Sequence, residues 1–307
     1  MEKNESSVKK ILDGMRRDLS GLYPERELDQ ILYMLVRHLT GWNKADLALK
    51  GNTIPGPDLA DVLKVATEEL RRFRPIQYII GSTTFLGAEL KVRPGVLIPR
   101  PETEELAALV IAENRQKEYQ EFHFLDIGTG SGCLAIVLKK AFPYAKAEAL
   151  DISAEALGTA AENALQNGAE IRFRKIDILD AANAAALPGY HLIVSNPPYV
   201  TDSERAGMRA NVLEFEPAGA LFVPDADPLL FYRAIGLFAW RHLVRPGQLY
   251  VEINERFGME VKTLLQSFGF EKVELLRDLR GKDRFVRAEA KHVMADTSYW
   301  MVDKHLP

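Results

Sequence analysis

The sequence predicts an α/β protein: an open, mostly parallel sheet with helices on both faces, preceded by a smaller helical unit. Three observations carry this. Up to about Arg74, apolar residues recur at three- and four-residue steps. From Phe122 onward, short strand-like runs alternate with helical ones. Between them, a glycine-punctuated stretch reads as extended.

The helical unit is expected over residues 1–75. Ile11, Met15, Leu19 and Leu22 make one apolar stripe, and Leu28, Ile31, Leu32, Leu35 and Leu39 make a second. Pro57 to Phe73 repeats the habit with Leu59, Val62, Leu63, Ala66 and Leu70. Breaks at Gly21, Gly41–Trp42 and Gly51–Pro57 separate the segments, so a small bundle follows. Residues 76–97 are expected to form a β-hairpin linker, with Tyr78-Ile79-Ile80, Thr83–Leu86 and Leu90–Val92 extended.

A larger α/β unit is expected over residues 98–290. Ile98–Glu104 opens a helix whose first turn is acidic, as the helix dipole favours. Strands are expected at Phe122–Ile127, Ala147–Asp151, Ile171–Asp177, Leu192–Ser195 and Gln248–Ile253. Ser153 is placed to cap a helix ending near Gly168, and Asp227-Pro228 to begin a long one. Lys272–Leu279 and Arg284–Ala290 suggest a closing antiparallel pair. Residues 291–307 form a tail with no pattern.

Composition narrows the function classes. Apolar residues make up 47% and charged residues 27%, which allows a core of useful size. A net charge of −4 gives no reason to expect a polyanion partner. The single cysteine, Cys133, excludes an intramolecular disulfide and fits a reducing cytoplasm. No secretory signal or membrane-spanning run is evident, and the six histidines lack a metal-ligand spacing. A cytoplasmic, metal-free chain is expected. Nothing specifies an oligomer, so a monomer is the working expectation.

Asp126-Ile127-Gly128-Thr129-Gly130-Ser131-Gly132 lies between a strand and a helix, where glycines allow a sharp turn and close approach to a ligand. A dinucleotide fingerprint would carry its third glycine where this chain has Cys133, and a phosphate loop would end in Gly-Lys-Ser/Thr. Asp151 ends the next strand, in position to accept hydrogen bonds from both hydroxyls of an adenosine ribose. Asp126 is placed either to orient the glycine loop or to face a positive ligand group. Ile178, after the third strand, offers an apolar surface for a base.

Ser195-Asn196-Pro197-Pro198-Tyr199 follows the fourth strand, at the sheet edge where ligands bind in open α/β folds. Two prolines stiffen the backbone and remove two N–H donors. Asn196 offers a carbonyl acceptor and Tyr199 a flat apolar face. Such a pocket suits a planar group bearing an NH₂. An amide nitrogen is a poor nucleophile, because its lone pair is delocalised into the carbonyl. Acceptors holding both N–H bonds out of the amide plane would restore that lone pair for in-line attack, with positioning as the main source of rate.

In the order of these motifs the chain resembles class I methyltransferases that act on planar amino groups. More narrowly, Pro75–Gly81, Phe85–Gly87 and Pro94–Glu104 resemble the HemK-type release-factor glutamine methyltransferases. Glu216-Pro217 with Ala220-Leu221, and Gly281–Val286, extend the likeness, which covers roughly residues 5–290. The resemblance implies a Rossmann-like, seven-stranded methyltransferase domain, a β-hairpin linker and an N-terminal bundle that helps grip a protein substrate. It implies S-adenosyl-L-methionine as methyl donor, with S-adenosyl-L-homocysteine as product. The implied acceptor is the glutamine of the Gly-Gly-Gln loop in class I peptide-chain release factors, methylated on its side-chain nitrogen. Gly128, Thr129, Gly130, Ser131, Gly132, Asp151, Ile178 and Asn196 match the family's cofactor contacts. Asn196, Pro197, Pro198 and Tyr199 match its glutamine contacts, with Asn196, Pro197 and Tyr199 expected to carry the catalysis.

Two positions depart from the family pattern. Phe222–Asp227 replaces a glycine-rich stretch, and Asn254 stands where glycine is common. Both are expected to affect loop shape and docking rather than the amide and cofactor motifs. The residues alone leave other acceptors open, namely a ribosomal-protein glutamine or an adenine amine in DNA. Flipped-base capture needs phosphate-neutralising surfaces, and here the overall charge is negative with no appended nucleic-acid domain. No nucleic acid is expected as a stable partner. A binding module that lost catalysis is disfavoured by the intact motifs. A redox enzyme of haem synthesis lacks its cysteine pair, metal ligands and dinucleotide glycines.

Overall fold

The computed structural model describes residues 7–115 and 122–290; the tail from Lys291 lies outside them. In chain order come α1 (Val8–Asp18), α2 (Glu25–Thr40), α3 (Lys44–Lys50), α4 (Pro57–Arg71), α5 (Ile76–Ile80), β1 (Ser82–Phe85) and β2 (Ala88–Lys91). There follow α6 (Pro101–Asn114), β3 (His123–Ile127), α7 (Cys133–Ala141), β4 (Lys146–Asp151), α8 (Ala154–Gln166), β5 (Arg172–Lys175) and α9 (Ala181–Ala184). The chain continues through β6 (Tyr190–Ser195), β7 (Val200–Thr201), α10 (Ala210–Leu213), β8 (Phe222–Val223), α11 (Leu230–His242) and β9 (Leu243–Glu252). It closes with α12 (Gly258–Ser267), β10 (Glu271–Arg277) and β11 (Asp283–Glu289).

These elements form two compact units. Of the described residues, one unit holds those up to Thr83 with Lys91–Ile98 and Ala206–Pro217; the other holds Thr84–Leu90, those between Pro99 and Arg205, and those from Ala218 to Ala290. In the first unit, local signals set the helix limits. Ser7 caps α1 by accepting from the Lys10 N–H, and Asn43 with Asp46 forms a reciprocal capping box on α3. Gly41 ends α2 in the left-handed region. Leu12, Met15, Leu19, Leu32, Leu35, Leu63 and Leu70 are buried together, as the stripes require, whereas Leu22 and Val62 are exposed. Tyr78-Ile79-Ile80, read as extended, instead belong to the short helix α5, which starts after Pro75 and stops at left-handed Gly81. Only Ser82–Phe85 and Ala88–Lys91 form the hairpin. The Ala206–Pro217 segment is tied into this unit. Arg209 forks onto both carboxylate oxygens of Glu27 at 2.7 and 2.8 Å, and Glu216 accepts from the Ile98 N–H.

The second unit is built on a seven-stranded sheet of order β10-β11-β9-β6-β3-β4-β5. Its five central and edge strands β9, β6, β3, β4 and β5 run parallel, and β11 and β10 add antiparallel at one edge. Alternation along β3 sends Phe124 into a core with Leu106, Val110 and Leu134, and Leu125 into one on the other face with Ile235 and Val261. Helices therefore cover both faces. The chain runs from β3 outward through β4 and β5, then returns to β6 on the opposite side of β3. The carboxyl ends of β3 and β6 thus flank the topological switch point, where an open sheet leaves a ligand crevice. One sequence expectation fails here. Asp227-Pro228 sits in a turn, and α11 begins at Leu230, because the Asp227 carboxylate pairs with Arg233 at 2.7 Å and its carbonyl accepts the Leu230 N–H. Among the described residues no helix is long and apolar enough to cross a membrane.

Candidate active site

The glycine turn leaves β3 at Ile127. Gly128 N and Thr129 N both donate to the Leu150 carbonyl at 2.9 Å, which draws the turn over the end of β4. Gly132 has φ +83°, and a Cβ there would lie 3.1 Å from Ala160 Cβ and 3.3 Å from Ala160 Cα. Only glycine lets α7 start this close to α8. Thr129 and Ser131 are buried. Thr129 Oγ1 donates to Asp126 Oδ2 at 2.6 Å, and the Ser131 carbonyl accepts from Asn163 Nδ2 at 2.9 Å.

Of the two roles open to Asp126, the structure shows the loop-orienting one. Fully buried, it also accepts from the Ala135 N–H at 3.2 Å. Burial pushes its carboxyl up to about 7, against the pull of its two donors. Its Oδ1 is buried without a hydrogen-bond partner among the described residues. Asp151, at the end of β4, accepts from Gly130 N through Oδ2 and from Ser153 N through Oδ1, both at 2.9 Å. Burial also raises Asp151, and backbone donors oppose the rise. Gly130 has open space where a Cβ would stand. A strand-end carboxylate beside an open glycine turn fits a ligand with ribose hydroxyls. Ile178 is half-buried and packs, like Tyr199, against the core on one sheet face.

β3 and β6 pair in parallel with Ile127 opposite Ser195, so Gly128 and Asn196 leave the sheet side by side. A Cβ on Gly128 would stand 3.9 Å from the Asn196 carbonyl oxygen. The structure thereby joins the two motifs that the sequence holds far apart. Pro197 is buried, and Asn196, Pro198 and Tyr199 are half-buried. The Tyr199 and Val200 N–H groups both donate to the Leu221 carbonyl.

Three residues that sequence reasoning missed hold this tetrapeptide. Asn196 Nδ2 donates to Thr103 Oγ1 at 2.9 Å, and Thr103 Oγ1 donates to Glu252 Oε2 at 2.8 Å. The other oxygen of Glu252 accepts from the Tyr199 hydroxyl at 2.9 Å. Thr103 and Glu252 are buried. Burial pushes Glu252 up to about 7, and burial with the adjacent Glu252 raises the Tyr199 phenol well above its usual range. The third is Asn254, whose Nδ2 donates to the Tyr199 carbonyl at 3.1 Å and to Glu204 at 2.9 Å. Asn254 was expected to lie outside the amide motif; its side chain instead braces that motif directly. A polar residue at the end of β9, level with the tetrapeptide, was the available signal.

A seven-stranded sheet of this order, with a glycine turn after β3 and Asn-Pro-Pro-Tyr after β6, defines a class I methyltransferase. Residues 105–217 match the methyltransferase small domain family, and residues 11–81 match the PrmC N-terminal domain family. A release factor glutamine methyltransferase of Bacteroides thetaiotaomicron is 40% identical over 282 residues, 92% of this chain and 99% of that protein. One of Flavobacterium psychrophilum is 40% identical over 274 residues, 88% and 94% of the two chains. Among solved structures, the hMettl16 catalytic domain shares the fold, with TM-score 0.50, 15% identity and coverage of 76% of this chain and 81% of that one. The chain belongs to the release factor glutamine methyltransferase family.

Proposed function

We propose that this protein transfers a methyl group from S-adenosyl-L-methionine to the side-chain nitrogen of the glutamine in the Gly-Gly-Gln loop of class I release factors. The observation that carries the reading is the placing of Gly128 beside Asn196 at the switch point, which sets a cofactor turn against an amide pocket. Relatives named for this activity, matched along nearly their whole length, favour it over a ribosomal-protein or adenine acceptor.

Gly128–Gly132, Asp151 and Ile178 are the residues that would hold the cofactor, Asp151 through ribose hydroxyls and Ile178 against the base. When bound, S-adenosyl-L-methionine supplies an electrophilic methyl group on a cationic sulfur. The remaining work falls to the tetrapeptide. Asn196 presents Oδ1, to which no described residue donates, as an acceptor for one glutamine N–H. A carbonyl of the proline-stiffened backbone, at Pro197, takes the other. Tyr199, anchored on Glu252, and Pro198 flank the amide plane. Held by two acceptors, the nitrogen loses amide resonance and regains a lone pair. Rate then comes from positioning and preorganised dipoles, with no base required before transfer. The amide proton becomes acidic on methylation and leaves to water. A cytoplasmic monomer meeting its protein substrate suits this role.

The test is labelling from radioactive S-adenosyl-L-methionine, offering a class I release factor and its loop Gln→Ala variant. Label on the wild-type factor alone is expected, and Asn196→Ala should remove most turnover while cofactor binding survives. Equal label on both factors would overturn the acceptor assignment.

A further inference from the structure

Building on that reading, we infer that Glu252 is a positioning residue that sets, through Thr103, which way the Asn196 side-chain amide faces. The oxygen and NH₂ of an asparagine amide are close in size and shape, so packing alone does not choose between its two orientations; hydrogen-bond partners do. The half-buried amide of Asn196 has Thr103 Oγ1 as its partner at 2.9 Å. A threonine hydroxyl has one proton. Here that proton is committed to Glu252 Oε2 at 2.8 Å, since an ionised carboxylate only accepts. Thr103 is left with lone pairs alone for Asn196. Asn196 must therefore turn its NH₂ toward Thr103 and its Oδ1 away, as an acceptor. An amide-methylating pocket needs that acceptor and is blocked by the reverse orientation, which aims two N–H donors at the substrate's own NH₂.

The same carboxylate fixes the second member of the pocket. Glu252 Oε1 takes the Tyr199 hydroxyl at 2.9 Å, so one buried group sets both the polar and the aromatic wall. The residues converge from α6, the loop after β6 and the end of β9. Neither Thr103 nor Glu252 needs to touch the substrate for this.

Glutamine at position 252 breaks one of the two contacts, because it offers an acceptor at one end and a donor at the other. If its NH₂ meets Thr103, that hydroxyl is freed to donate to Asn196 Oδ1 and the amide reverses. If its NH₂ meets Tyr199, the phenol loses its acceptor. Thr103→Val removes the relay at constant shape.

The experiment combines kinetics with a spectroscopic readout on the full chain. With a release factor as substrate, Thr103→Val and Glu252→Gln are expected to lose about tenfold to a hundredfold in kcat, the range of a charge-assisted contact. KM for the factor and affinity for S-adenosyl-L-homocysteine should stay near wild type. Thr103→Ser restores the hydroxyl and should recover most of what Thr103→Val loses. The double variant should be less impaired than the product of the two single losses, since both break one chain of contacts. In parallel, the ¹⁵N side-chain NH₂ signal of Asn196, assigned by its disappearance in Asn196→Asp, should move and exchange faster with water in Thr103→Val, and in Glu252→Gln either that signal or the Tyr199 ring signals should move. An unmoved Asn196 signal in Thr103→Val, unmoved Asn196 and Tyr199 signals in Glu252→Gln, or Thr103→Ser as impaired as Thr103→Val, would overturn the inference. A wild-type protein inert toward release factors would sink the functional reading instead, and the Asn196 signal would still decide the orientation.

Discussion

The Ser195 hydroxyl donates to the Ile127 carbonyl at 2.7 Å, tying the last residue of β6 to the last residue of β3. Both are buried, and the next residue on each strand belongs to the candidate site. This bond is the clamp that keeps Gly128 and Asn196 adjacent. Ser195→Ala should cost about 1 kcal/mol of stability, the usual net value of one buried hydrogen bond. Beyond that, kcat should fall several-fold with little change in cofactor affinity. Urea unfolding alongside steady-state kinetics checks both; a stability loss with unchanged kcat would leave the clamp purely structural.

Asp151 binds the Gly130 and Ser153 N–H groups, so it shapes the turn as well as facing the proposed ribose. Asp151→Ala should weaken S-adenosyl-L-methionine by roughly 1.5–3 kcal/mol, about tenfold to a hundredfold. Calorimetric titration reads this directly. Unchanged affinity would remove Asp151 from the cofactor site.

Asn254 donates to the Tyr199 carbonyl and to Glu204, which also accepts from Thr201 N and Oγ1. Glycine, common at this position in the family pattern, would leave that carbonyl and the 201–204 turn unbraced. Asn254→Gly should lower stability by about 1–2 kcal/mol and reduce kcat on the protein substrate, with cofactor binding preserved. A stable variant of full activity would show that the asparagine is dispensable.

What the sequence made legible was local. The glycine turn, Asp151, Ser153 as a cap and Asn196–Tyr199 each sit within a few residues of the strand end that gives them meaning. Thr103 and Glu252 lie 149 positions apart, and their meeting depends on α6 packing beside a sheet in which β9 adjoins β6. No periodicity encodes that. Tyr78-Ile79-Ile80 misled because three bulky apolar residues in a row favour a strand, while Pro75 and Gly81, which start and stop a helical turn, weighed less. Asp227-Pro228 misled because a carboxylate that resembles a cap was already engaged by Arg233.

Stability and activity should respond in opposite directions to pH across neutrality, both through Glu252. Burial raises Glu252 from its ordinary 4.5 to about 7. The folded state therefore holds this proton at pH values where the unfolded chain has lost it. Between the two values the native state binds more protons, so this group makes stability fall as pH rises, with the penalty complete above about 7. Asp126 acts with the same sign. Catalysis runs the other way. Protonated Glu252 becomes a donor at one oxygen, so either Thr103 turns and Asn196 loses its enforced orientation, or Tyr199 loses its anchor. The groups that bear on Glu252 are the Thr103 and Tyr199 hydroxyls, the Arg284 cation, the Glu102 carboxylate and the Tyr232 phenol. The Tyr199 and Tyr232 phenols and the Arg284 guanidinium are all raised above their ordinary values, so they keep their protons between pH 5.5 and 8. The kcat/KM profile, which reports the free enzyme, should rise with pH through an inflection near 7. Thermal melts over the same range should show the opposite slope from this carboxylate. In Glu252→Gln the inflection should vanish and the stability slope should shrink toward the part left by Asp126. An inflection that survives the substitution would assign it to another group.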